Sequence, residues 1–369
     1  MAETQQQEVK RSVLHESQGG IGASFTISQG WNMAECYSDP KQEHLSVRSS
    51  GGVVDLFHFG SIKVGGGEAV QFLNGLVTNN VKTLEPGKGM AAAILSGHGK
   101  VKALCRVLNL GDEYLVLNDP QTHEKVFKYL FPFSYAGDFR VEDVSEDYRM
   151  ISVQGPKAPL VMKEICFEPL PALTEYDWFR TLIAGQDAVV TAASHTGELG
   201  FDILVPSLAV KDVWDFILLK GDFHSVSPFG LLALESLRIE AGIPVYGQDV
   251  DETNMMLEVG LDDAVSLNKG CYTGQEAVAM ATYRGHISKK LSGLAIADSL
   301  VPSHGDVVIQ DDKEIGLVTS ALHSPTLGSV VALAYIKYGF FESDTSVEVK
   351  IGTERIPALV VDLPFYTRS

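Results

Sequence analysis

The sequence predicts an α+β protein that closes in a small β-barrel. Three observations carry that expectation. The chain has 369 residues, more than one hydrophobic core usually serves, so two or three domains are expected. As far as residue 283, strand patterns interleave with amphipathic helix patterns in two successive blocks. Past Arg284 the texture changes to short β signals separated by glycine and polar turns. The expected division is a flexible tail at 1–13, a two-lobed α+β region at 14–283 and a β-barrel at 284–369.

The start, Met1 to Arg11, is polar and has no apolar stretch of signal-peptide kind. Gly52 to Phe57 and Ser61 to Val64 read as short strands around a turn at Phe59-Gly60. Glu68 to Leu76 places Ala69, Phe72, Leu73 and Leu76 on one helical face. Met90 to Leu95 and Val101 to Leu110 read as a β-hairpin joined at Ser96 to Lys100. Tyr114 to Leu117 is a further strand, and Pro120 to Leu130 is a helix ending before Pro132. In the second block, Met150 to Gly155 and Phe201 to Val205 are strands, while Leu208 to Leu219 and Phe229 to Ala241 are helices. Gly242 and Pro244 end the last of these. The barrel signals are Leu291 to Ile296, Val307 to Ile309, Gly316 to Ser320, Val330 to Ile336 and Ser346 to Ile351.

Composition narrows the function classes. Hydrophobic residues make up 45% and charged residues 21%, an ordinary globular balance. No apolar run approaches the roughly 20 residues of a membrane-spanning helix, so no membrane partner and a cytoplasmic setting are expected. The net charge of −18 opposes nucleic-acid binding, where phosphate neutralisation supplies most of the affinity. Cys36, Cys105, Cys166 and Cys271 are widely spaced, with no C-x-x-C or C-x-x-H pairing. No metal site is expected from them.

Asn268 to Glu276, Asn-Lys-Gly-Cys-Tyr-Thr-Gly-Gln-Glu, is the segment with the clearest chemistry. Gly270 and Gly274 permit positive φ, so Cys271 can sit on a tight, exposed turn. Lys269 would lower the thiol's pKa if both side chains lie on one side of that turn. Gln275 would open a helix to Ala281. The bland alternative is a solvated lysine beside a buried cysteine. His58 reads as a packed core histidine, and Gly65-Gly66-Gly67 lacks the spacing of a phosphate-binding loop. The island from Arg284 to Lys290 would face an anionic tail or act as a solvated linker.

Lys-Gly-Cys-Tyr-Thr-Gly-Gln-Glu, with Arg284-Gly285 after it, resembles the signature of the YgfZ family of folate-dependent proteins that maintain iron–sulfur enzymes. A second resemblance runs from about Leu14 onward. Gly30 to Met33, Glu43-His44, Val47-Arg48, Gln154 to Ala158, Thr196 to Phe201, Leu237 to Gly242 and Pro244 to Gly247 are similar to the ordered motifs of the glycine-cleavage T-protein (GcvT, aminomethyltransferase) superfamily. That resemblance implies a three-lobed fold with folate in a central channel and a closing β-barrel. It implies that Glu198 contacts the pterin, with a solvated turn as the alternative, and it allows Arg238 to pair with a folate carboxylate. For Arg238 an internal salt bridge is the alternative. Cys271 and Lys269 are then the candidate catalytic residues at the channel mouth, and Glu198, Arg238, Tyr272, Gln275 and Arg284 are the candidate folate contacts.

One feature departs from the T-protein pattern. Those proteins carry an aspartate on the hairpin, in a segment resembling G-G-x-x-D-D-L. Here His98 to Leu104 contains no carboxylate, and the nearest downstream is Asp112. The usual upstream tyrosine is also replaced, within Gly89 to Ala92. The expectation is therefore a tetrahydrofolate-binding accessory protein for iron–sulfur cluster assembly or repair, with assembly proteins or client enzymes as partners. The alternative is a folate-dependent aminomethyl- or methyltransferase of T-protein type.

Overall fold

The structure is a computed structural model that describes residues 9–135, 137–283 and 287–368. It opens with a small sheet of β1 (Lys10–Arg11), β2 (Ser24–Ser28) and β3 (Trp31–Cys36), in the order β1-β3-β2, beside helix α1 (His15–Gly20). The segment expected as a tail is thus paired from Lys10, and the Ser12 hydroxyl donates to buried Asp55 at 2.6 Å. Helix α2 (Pro40–Ser49) begins as its sequence dictates. Pro40 takes the first turn, where it loses no hydrogen bond, and the Asp39 carboxylate accepts from the Lys41 N–H at 3.2 Å.

Strands β4 (Gly51–Asp55) and β5 (Gly60–Gly65) flank the expected turn but do not pair with each other. The chain crosses there from one sheet to another. β5 joins β6 (Gly89–Leu95), β7 (Val101–Asn109), β8 (Glu113–Asn118) and β9 (Arg140–Asp143) in the order β6-β7-β8-β5-β9. Helices α3 (Ala69–Leu76) and α4 (Pro120–Leu130) cover this sheet through Leu73, Leu76, Val126 and Leu130. β4 joins β10 (Tyr148–Gln154), β11 (Trp178–Ile183), β12 (Gln186–Ala192), β13 (Gly200–Pro206) and β14 (Val226–Pro228) in the order β11-β12-β13-β10-β4-β14. Helices α5 (Ala158–Ile165) and α6 (Val210–Asp222) pack their apolar stripes, including Val161 and Trp214, on that sheet.

Helix α7 (Leu231–Glu240) follows, then the short α8 (Met256–Val259) and α9 (Gln275–Tyr283). Strands β15 (Lys289–Ile296), β16 (Val307–Gln310), β17 (Lys313–His323), β18 (Val330–Lys337), β19 (Ser346–Ile351) and β20 (Glu354–Val361) close a barrel in the order β15-β18-β17-β16-β19-β20. Alternate residues of these strands fill it, among them Leu294, Val308, Val349 and Val360. Among the described residues no helix is long and apolar enough to cross a membrane. What matters for the site is that α7 packs on β3 from one lobe and on β17 and β18 of the barrel. That leaves a central cavity between the lobes.

Candidate active site in the central cavity

The cavity holds about 400 Å³, within the range of small-ligand sites. Met33, Leu56, Phe59, Leu231 and Leu234 form apolar wall, and His58, Asp119, His195, Glu235 and Arg238 supply ionisable groups. These residues come from β3, the crossover after β4, the end of β8, the loop before β13 and α7. No sequence window contains them together.

Asp119 stands at the cap position of α4, ahead of Pro120, yet its side chain makes no capping bond. It is half-buried on the cavity wall. Burial pushes its carboxyl up to about 6, against the pull of Arg106 and His195. His58, expected as a core histidine, lies on the same wall, and its buried Nδ1 has no hydrogen-bond partner among the described residues. Burial, together with His195, lowers it to about 4, so the ring is neutral near pH 7.

Behind these two groups runs an ionic row. Arg106 Nη1 donates to Asp202 Oδ2 at 2.6 Å, and His195 Nε2 lies 2.9 Å from Asp202 Oδ1. Burial alone would raise the Asp202 carboxyl. His195 and Arg106 outweigh it and hold the group well below the usual carboxylate range. The Phe59 ring lies against both, 6.1 Å from the His195 ring and 5.7 Å from the Arg106 guanidinium carbon.

Arg238 reaches the cavity but is spent on structure. It donates to Asp249 Oδ2 at 2.8 Å, Ile243 O at 3.0 Å, Glu235 Oε2 at 2.7 Å and Ser320 Oγ at 3.0 Å. It thereby ties α7 to the following loop and to β17, as the salt-bridge alternative anticipates. Glu198 is only 3% exposed and does not line the cavity. Arg48 Nη1 holds it at 3.1 Å, and the same guanidinium binds Glu240 at 2.9 Å and lies 3.8 Å from the Tyr366 ring. Glu240 in turn meets His44 Nε2 at 3.2 Å and accepts from Ser324 and Thr326. Burial opposes its ionisation, but His44 and Ser324 prevail and hold it at about 2. Arg48 occupies Oε1 of the Glu198 carboxylate.

The Lys269 to Glu276 turn occupies a different place. Gly274 takes the left-handed conformation, φ +84°, and a Cβ there would meet Ser96 O at 2.6 Å. Gly270 does not adopt positive φ, contrary to expectation, and a Cβ there would meet nothing within 4 Å. The turn is seated on the tip of the β6–β7 hairpin, and Thr273 N–H donates to Gly75 O at 3.2 Å. Lys269 is buried and donates to Val77 O at 2.6 Å and Asn79 O at 2.7 Å, with its Nζ 4.8 Å from the Tyr272 ring centroid. Burial, with Lys82 nearby, lowers it to about 8. Its ammonium therefore serves two carbonyls, and no Lys269–Cys271 contact forms. Cys271 is exposed, Tyr272 is packed in the cluster with Leu95 and Val101, and Gln275 opens α9. Arg284 lies outside the described residues. None of Lys269, Cys271, Tyr272 and Gln275 lines the central cavity.

Sequence reasoning missed Asp119, His195, Arg106 and Asp202. The Asp-Pro step before α4 was legible as a helix start, but only the tertiary fold shows that its carboxylate is not used for capping.

Comparison with known proteins agrees with the architecture. The GCVT N-terminal domain model matches residues 14–269, and the glycine cleavage T-protein C-terminal barrel domain model matches residues 289–367. An aminomethyltransferase of Saccharopolyspora erythraea is 32% identical, over 98% of this chain and 99% of that protein. The aminomethyltransferase of Bacillus subtilis is 31% identical, over 98% and 100%. The crystal structure of glycine cleavage system aminomethyltransferase T from Bartonella henselae superposes with a TM-score of 0.90 at 25% identity, over 98% of this chain and 99% of that one. From the small N-terminal sheet to the closing barrel, this chain belongs to the glycine cleavage T-protein family.

Proposed function

We propose that the chain is a folate-dependent one-carbon transferase of aminomethyltransferase type, with tetrahydrofolate bound in the central cavity. The observation that carries the reading is end-to-end similarity to aminomethyltransferases, over 98% of this chain and 99% of the relative. The cavity suits such a ligand. Met33, Leu56, Phe59 and Leu234 offer faces for a flat heteroaromatic ring, while the unpaired His58 Nδ1 offers a hydrogen bond to its edge. Tetrahydrofolate supplies ring nitrogens that accept and carry the one-carbon unit. The chain's part is to orient it, exclude water and stabilise charge on the donor. This reading replaces the accessory role as the leading one.

The accessory role in iron–sulfur cluster maintenance is kept as a second reading for two observations. Cys271 is exposed on a turn anchored at both ends, and the hairpin stretch His98 to Leu104 carries no carboxylate.

Calorimetric titration with tetrahydrofolate and 5-formyltetrahydrofolate tests what both readings share, and absence of binding removes both. A transfer assay following loss of a one-carbon unit from an aminomethyl or methylamine donor separates them. Turnover supports the transferase. A folate-binding protein without turnover, whose deletion impairs cluster enzymes and whose Cys271→Ala variant fails to restore them, supports the second reading.

A further inference from the structure

The charges around the central cavity do not balance. Arg238 is matched by Glu235 and Asp249. Asp202 is matched by Arg106 and His195. Asp119 has no hydrogen bond or ion pair to its side chain among the described residues, and at the cap of α4 it forgoes the backbone N–H groups an aspartate there usually takes. A half-buried carboxylate without a partner is costly unless a ligand completes it. Beside it stand the neutral His58 and the Phe59 ring, a wall that tolerates positive charge.

We propose that Asp119 binds a positively charged nitrogen of the second substrate, a protonated or methylated amine. The inference deepens the transferase reading and rests on it for the amine's role as one-carbon donor. The register supports the placement. β7 and β8 pair Cys105 with Asn118, so Asp119 follows the last paired residue of β8, at the end of the pair where the hairpin stretch His98 to Leu104 has no carboxylate. Asp112, the nearest carboxylate along the chain, lies at the opposite end of the same strand pair, next to the Gly111 turn. The titratable and charged groups facing Asp119 are Arg106 and Cys105 on β7, His195 from the loop before β13, Tyr246 after α7, and His58 across the cavity.

The test uses full-length protein with dimethylammonium chloride as probe, followed by saturation-transfer NMR, and tetrahydrofolate followed by calorimetry. Wild type binds the probe. Asp119→Asn weakens it by at least about tenfold, as loss of one partner of a desolvated charge contact does, while tetrahydrofolate affinity stays within about twofold. Asp119→Glu retains part of the binding. A wild type that ignores the probe, or an Asp119→Asn variant that binds it equally well, overturns the proposal. So does an Asp119→Asn variant that loses tetrahydrofolate in parallel, since the carboxylate then reads the folate. If wild type holds the amine through Asp119 but binds no folate, the transferase reading falls and the amine site stands. Retained melting temperature in the variants keeps misfolding out of the comparison.

Discussion

Arg48 and Arg106 are both carried into the interior against carboxylates, and the two clusters they build differ in one respect. Around Arg48 every charge is answered: Glu198 and Glu240 share the guanidinium, and Glu240 also has His44, Ser324 and Thr326. The cluster joins α2, the loop before β13, α7 and the barrel, and none of its residues lines the central cavity. Around Arg106 the row Arg106–Asp202–His195 is likewise closed, but Asp119 beside it is left over, and it faces the cavity. A filled ionic network holds lobes together. An incomplete one, half-buried and open to a ligand-sized space, is where binding chemistry is expected.

The largest effect is expected from breaking the filled cluster. Arg48→Met takes the cation from Glu198, leaving it the Tyr366 hydroxyl, and weakens Glu240; it should cost about 3–5 kcal/mol by urea unfolding, as removal of one partner of a buried ion pair does. A loss below about 1 kcal/mol would mean that the carboxylates find water or protons without penalty. Asp202→Asn should cost less, about 2–3 kcal/mol at pH 7, because the amide still accepts hydrogen bonds from Arg106 and His195. Asp202 titrates low in the folded state, so its contribution is present above the unfolded carboxyl pKa near 4 and fades as the pH falls below it. The Asn variant and wild type should therefore converge in acid.

Asp119→Asn should act in the other direction. The folded carboxyl is raised to about 6. Wild-type stability is therefore undiminished below about pH 4 and declines as the pH rises through 6. The variant should be more stable than wild type at pH 8, by on the order of 1 kcal/mol. The full shift would give more, but solvent at the cavity wall and the α4 N-terminus temper it. No difference is expected at pH 4, and thermal melts at the two pH values decide it. Equal melting at pH 8 would place Asp119 in a satisfied, structural role. The smallest effect is the surface control, Arg355→Ala, which removes exposed contacts to Asp312 and Glu348. Its urea unfolding midpoint should match that of wild type.

The hairpin, α4, α7 and the barrel strands were legible because apolar period and turn residues are local properties. The Lys269 turn was legible as a turn, and Gly274 has the conformation its glycine allows. Its expected electrostatics were not legible. Lys269 points at the carbonyls of Val77 and Asn79, which arrive from almost two hundred positions upstream. Arg48 sat in a motif with no assigned role, and only folding brings it to Glu198.

Local sequence therefore accounts for the α+β lobes, the closing barrel and the ordered motifs that mark the family, since each depends on residues a few positions apart. The sorting of charges did not follow from it. Whether Glu198, Arg238 or Asp119 is left free for a ligand depends on which carboxylate meets a cation when the lobes pack. That is settled by contacts between distant segments: Arg48 reaches Glu198, Ser320 reaches Arg238, and no partner among the described residues reaches the Asp119 side chain.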